Sequence, residues 1–210
     1  MLPHKGGGGS HGEASYMAGA SGVGVMLIAR YAKIVMSLAL ASFCLLVTFD
    51  NITDYGTNYL FVQHVMSMDT TFPGNALMYR AITNPVIWQI AYGLIIAAEG
   101  ITGILFLAGA IRLIQLRNAP GAVFNEGKTL VIAGATLAFL VWFFGFMVVA
   151  GEWFAMWQSQ TWNGQDAAFR FYMAVLGMLI FVALPDGDLP GTVPPRATPK
   201  RRRTDKKHAS

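Results

Sequence analysis

The chain has 210 residues, of which 54% are apolar and 12% carry a charge. A soluble domain is about 25% charged, so this balance excludes a disordered chain, a coiled coil, a collagen-like repeat and most soluble enzymes. The net charge of +4 belongs to segment 196–210, whose seven basic residues and Asp205 leave the remainder at −2.

In chain order, residues 1–24 are Gly, Ser and Ala with scattered polar groups and read as a flexible N-terminus. A first membrane span is predicted over about 25–49, with Arg30 and Lys33 snorkelling to the headgroups. Ala39-Leu40-Ala41 resembles a cleavage site, but the apolar run continues through Phe49, as in an uncleaved anchor. Cys44 is the only cysteine, so no intrachain disulfide can form. The connection 50–85 opens with a short amphipathic helix. Asp50, Asp54 and Asn58 recur every fourth residue on one side, and Tyr59, Val62 and Met66 make an apolar side. Met68-Asp69-Thr70-Thr71 with Pro73-Gly74 reads as a turn.

Three further spans are predicted over about 86–111, 129–151 and 167–184, the last with Arg170 snorkelling near its start. Stretches 34–49, 86–111, 129–151 and 171–184 hold one charged residue between them, Glu99. A bilayer core of about 30 Å needs about 20 helical residues, which the second and third stretches supply outright. Strands are excluded, because the runs lack period-two alternation and exceed a barrel strand of about 10 residues. Gly93-xxx-Ala97 and Gly134-xxx-Ala138 have the small-residue spacing that lets helices pack closely in lipid. The fold class is all-α, a four-helix transmembrane bundle over 25–184. Segment 185–210 begins with four prolines in eleven residues, ends in a basic run, and reads as a disordered tail.

Placing both termini inside collects Lys5, Arg30, Lys33, Arg112, Arg117, Lys128 and the tail on the cytoplasmic side, against Arg80 and Arg170 outside. The positive-inside rule therefore predicts N-in and C-in. The tail run Lys200-Arg201-Arg202-Arg203 with Lys206-Lys207 suits anionic lipid, worth about 1 kcal/mol per residue near the surface. No aromatic residue accompanies it, so nucleic acid is not the expected partner.

Chemistry concentrates on the outer side and at Glu99. A carboxyl group inside a span should face the bundle interior and be protonated or paired. Glu99 then reads as a proton or cation relay or as a contact with a partner subunit. The plainer reading is a protonated Glu bonded to Thr102, Thr136 or a carbonyl. Glu152 and Arg170 close the third and fourth spans and could pair across them, or stand as two solvated charges. Asp50 and Asp54, with Asp69, Glu152 and Asp166, form an outer excess of acids, but no EF-hand-like loop is present and no metal is assigned. His64 is the only histidine outside the terminal segments, which excludes a bis-histidine haem within one chain and leaves His64 as at most a single ligand. Trp88, Trp153, Trp157 and Trp162 fall at the outer boundary. They form an interfacial aromatic belt or, in the sharper reading, an aromatic pocket for a ring or a cation. Phosphate-loop, Cys-x-x-Cys, nucleophile-elbow and HExxH motifs are missing, and no cofactor is assigned.

Two stretches carry a resemblance. Asp-Asn-x-x-Asp-Tyr-x-x-Asn from Asp50 is followed by Phe-Val-x-His-Val-x-x-Met-Asp from Phe61; Glu-Trp-Phe-x-Met-Trp-x-Ser from Glu152 is followed by Trp-Asn-Gly-Gln from Trp162. These resemble the hallmark stretches of an uncharacterised bacterial family of predicted small integral membrane proteins, a domain of unknown function. The resemblance covers about 30–184 and implies a four-span bundle in the bacterial inner membrane, with no activity and no assigned functional residues. The expected role is a non-enzymatic accessory or assembly component of a membrane complex, joined to a membrane-protein partner or to copies of itself. The alternative is a small-molecule, lipid or ion binder or translocator built on Glu99 and the aromatic outer crown.

Overall fold

A computed structural model describes residues 10–190 and 192, with side chains from 24 onward and at 22. Helix α1 spans Ser10–Thr53 and α2 spans Tyr55–Ser67. Next come α3 at Pro85–Leu116, α4 at Gly121–Glu126, α5 at Thr129–Phe139 and α6 at Gln165–Ala183. Beyond Phe139 the α5 rod continues as a π-helix, Leu140–Trp153. Short 3-10 turns at Met78–Arg80 and Met156–Gln158 complete the connections. His4, Lys5 and the basic run 200–207 lie outside the described residues.

Four helices are long and apolar enough to cross a membrane: Gly24–Thr53, Pro85–Leu116, Gly121–Trp153 and Gln165–Ala183. They pack as a ring in which α1 lies against α3, α3 against α5, α5 against α6 and α6 against α1. Phe106, Leu113, Val131, Ala135, Val175 and Val182 fill the centre. Large apolar side chains such as Ile104, Leu94 and Ile180 stand exposed on the outside. That is the arrangement of a bundle whose solvent is lipid, which needs no polar face.

Close helix approach comes from glycines other than those picked out by spacing. A Cβ on Gly103 would stand 2.8 Å from the Leu45 side chain, and one on Gly109 would stand 2.9 Å from the Val131 backbone nitrogen. Gly93 and Ala97 are both exposed, with open space around Gly93, so that pair makes no helix contact. Gly134 does face a neighbour, the Phe106 ring at 3.3 Å.

Two ends of the chain depart from expectation. Helix α1 starts at Ser10, inside the segment read as flexible. Residues 184–188, where the tail was expected to begin, are tied to the bundle. Asp186 lies 2.6 Å from Lys33 Nζ and 2.5 Å from Lys128 Nζ, and both lysines also donate to the Leu184 carbonyl. Arg30 donates to the carbonyls of Arg117, Ala119 and Gly187, with its guanidinium 4.5 Å above the Phe124 ring. Arg30, Lys33 and Lys128 are therefore buried, not snorkelling. At this end a set of cations replaces lipid headgroups with backbone carbonyls and one carboxylate.

Candidate functional site

The candidate site is built where α1 ends. Helix α1 breaks at Asp54, whose backbone (φ −112°, ψ 51°) turns the chain into α2. α2 then folds back over α3, burying Val62 and Val65. The first-loop helix expected from the sequence is thus present, but it starts one residue after Asp54. Asp54 stands at its N-cap position without a side-chain cap bond, and its Oδ1 accepts from the Thr57 hydroxyl at 2.9 Å. Asp50 and Asn58 line the same cavity, while Asp54 is not among its walls.

That cavity measures about 310 Å³ and lies between α1, α2, α3, α6 and the π-helical segment. Its polar wall is Asp50, Asn51, Asn58, Tyr92 and Glu99, and its apolar wall includes Phe61, Trp142, Phe146 and Phe171. Glu99 is 3% exposed. Its Oε2 accepts from Asn51 Nδ2 at 2.7 Å, which is its one hydrogen bond among the described residues. Asn51 Oδ1 in turn accepts from Asn58 Nδ2 at 2.7 Å and from the Tyr92 hydroxyl at 3.2 Å; the same hydroxyl reaches the Asn51 carbonyl at 3.1 Å. In this arrangement Asn51 Oδ1 takes the two donors and Nδ2 faces Glu99.

Several chemical consequences follow. No Lys, Arg or His lines the cavity, so the side chains of Glu99 and Asp50 face it without a protein counter-charge. Asn51, buried and fully engaged, holds Glu99 in place. Because an amide does not hand on a proton, Asn51 positions the acid and does not relay to it. The cavity is the side from which Glu99 is open to approach. The partners differ from the expected Thr102 and Thr136, whose hydroxyls return to the Ala98 and Ile132 carbonyls of their own helices.

The other sequence candidates lie elsewhere. Glu152 and Arg170 are both exposed and form no ion pair with each other. Arg80 reaches the Glu152 and Trp153 carbonyls at 3.4 and 3.3 Å and stacks on Trp153. His64 Nδ1 contacts Asp69 at 2.8 Å, and its ring lies parallel to Trp162 at 4.6 Å, outside the cavity. Trp153 and Trp157 are exposed, whereas Trp88 is buried and donates to the Ile82 carbonyl at 2.7 Å. None of these four tryptophans lines the cavity; its tryptophan is Trp142. Among the described residues, no three of His, Cys, Asp and Glu come close enough to hold a metal ion.

Asn51, Tyr92 and Trp142 escaped the sequence reading as site residues, and Asn58 was placed only on the polar side of the first-loop helix. Asn51 and Asn58 are seven residues apart, the spacing of one helical face, and that was the available signal. Nothing in the sequence marks Trp142, since the π-helical winding that aims it is a tertiary outcome.

No curated protein and no solved structure matches the chain. The family model described as predicted small integral membrane protein (DUF2165) matches residues 29–185. That stretch contains nearly all of the four spans and every residue of the Glu99 cavity, and the chain belongs to this family of multi-pass integral membrane proteins.

Proposed function

We propose that this protein binds a small molecule in the Glu99 cavity, through a group that donates hydrogen bonds or carries positive charge. One observation carries the reading: a nearly fully buried carboxyl group, held by a single amide at 2.7 Å, faces a cavity of about 310 Å³ lined by no cation. Small-molecule sites occupy about 300–1,000 Å³ and combine apolar walls with a few placed polar groups. The second carboxyl oxygen of Glu99 has no protein partner among the described residues and is open to the cavity, where a donor can pair with it.

The accessory-component role keeps a weaker footing. Its support is the broad exposed apolar surface of the helices, which lipid covers equally well. The sidedness we propose puts the Asp186 end in the cytoplasm of a bacterial inner membrane. The cations Arg30, Lys33, Arg117 and Lys128 gathered there support that reading. The basic run beyond residue 199 would then meet anionic lipid.

Purification in mild detergent followed by native mass spectrometry tests the choice. The expected result is a retained non-protein mass that is missing from a Glu99→Leu variant that still unfolds cooperatively, at a midpoint lowered by the stranded Asn51 amide. A stoichiometric protein partner with no retained small molecule would overturn the cavity reading and favour the accessory role.

A further inference from the structure

A second cavity, of about 510 Å³, adjoins the first. It lies between α2, α3 and the π-helical segment, and its walls include Val65, Met66, Leu94, Ala98, Phe144 and Val149. No charged residue lines it. Phe61, Val62, Ile95 and Phe146 belong to both cavities, so one partition of four side chains separates an apolar groove from a polar chamber. Leu94 and Phe144, at 65% and 53% exposed, put the groove on the outer, apolar surface of the bundle.

Each half is incomplete as a site. The chamber opens beside the exposed Asp50 and Asn58 and offers acceptors without a donor to fill them, and the groove begins on the apolar surface next to it. An apolar groove facing lipid gives a chain no hydrophobic gain, because lipid tails are as apolar as its walls. Retention of a chain there has to come from its shape or from something attached to it. The chamber next door supplies that attachment, with Glu99 and Asp50 as acceptors for a donor head.

We infer that the site takes a membrane amphiphile whose head donates hydrogen bonds to Glu99 in the chamber and whose single aliphatic or isoprenoid chain lies in the groove between α2, α3 and the π-helical segment. The inference rests on the chamber reading above and adds the chemical class of its ligand. The head is an ammonium or a hydroxyl, since either completes the carboxyl group and neither brings a negative charge beside it. A phosphate or carboxylate head would find no cation in the wall to pair with. Phe61, Val62, Ile95 and Phe146 are the residues around which head and chain part company.

The test uses the full chain in lipid nanodiscs with two photoreactive probes. One is dodecylamine carrying a mid-chain diazirine, with the matching dodecanol as its hydroxyl counterpart; the other is a diazirine-bearing butylamine. Expected labelling by the long probes concentrates at Leu94, Ala98, Phe144 and Val149, at least about five-fold above Ile104 and Ile180 on the open helix faces. The short probe labels the chamber. Gly145 lines the groove, and a Cβ there would have only the Leu140 carbonyl near it, at 3.8 Å, so Gly145→Phe fills the groove. It should abolish the long-probe preference and spare the short-probe labelling, and Leu94→Trp should do the same from the rim. Glu99→Leu should reduce both. Even labelling of all lipid-facing residues by the long probes, with Glu99-dependent chamber labelling by the short one, overturns the amphiphile and leaves the chamber reading standing. Loss of Glu99 dependence for both probes overturns both. Preference for the amine or for the alcohol identifies the head.

Discussion

Asn51 Nδ2 donates to Glu99 Oε2 across 2.7 Å, joining the end of α1 to the middle of α3 over 48 positions of sequence. The same amide accepts from Asn58 and Tyr92, so a single side chain connects three helices. Its removal leaves one acceptor and two donors without their partner.

Asn51→Leu should therefore destabilise the bundle by about 1–3 kcal/mol, the cost of stranding buried polar groups. Thermal unfolding in detergent should show a clear downward shift, and chamber binding should fall with it. Asn51→Asp should be worse than Asn51→Leu for binding of a neutral hydroxyl head, because it sets a second acid against Glu99. Equal stability of Asn51→Leu and wild type would show that the network carries no energy.

At the opposite end, Asp186 holds Lys33 and Lys128 together. Burial pushes its carboxyl up, but hydrogen bonds and charge from Lys128 and Lys33 outweigh this and hold it below the usual carboxylate range. A depressed folded-state value means that ionised Asp186 adds stability above the unfolded value, near about pH 4. That contribution disappears as pH falls through the lower folded value. Acid titration of unfolding should show this loss in wild type and not in Asp186→Asn. Asp186→Ala should cost about 3–5 kcal/mol at neutral pH, since two buried lysines lose their carboxylate.

Close packing between α3 and α5 depends on Gly109. A methyl there would stand 2.9 Å from the Val131 backbone nitrogen and 2.6 Å from its side chain. Gly109→Ala should destabilise by about 1–3 kcal/mol through overpacking. Gly93→Ala, with nothing within 4 Å, should stay within about 0.5 kcal/mol of wild type. Unfolding midpoints of the two variants, measured side by side, check the contrast.

Glu152 and Arg170 offer a control on sequence inference. Both are exposed and unpaired with each other, so Glu152→Ala and Arg170→Ala should each change stability by less than about 0.5 kcal/mol, and their double variant should be additive. A coupling energy near about 1 kcal/mol in a double-mutant cycle would restore the pair that their positions suggested.

The four spans were legible in the sequence because excluding charge from about 20 consecutive residues is a local requirement of a hydrocarbon solvent. The helix after Asp50 was legible for a similar reason: its apolar residues recur at helical spacing, and Val62 is buried as that pattern implies. Glu99 stood out as the single charge inside those runs, and it does line the cavity. Its partner did not stand out. Glu99 meets Asn51 because α1 runs close along α3, with Thr48 against Gly100 and Leu45 against Gly103, and that register between helices follows from packing all four together. Of the two readings of Glu152 and Arg170, the structure has the one with two exposed, separate charges, since nearness along a short connection does not set the direction in which two surface side chains point. Trp142 and Phe146 reach the cavity from the part of the rod beyond Phe139 that winds as a π-helix, a winding the sequence does not announce. Solvation by lipid is read residue by residue and so is written in the sequence, whereas a site made of side chains from several helices exists only once their mutual rotation and depth have been settled by packing.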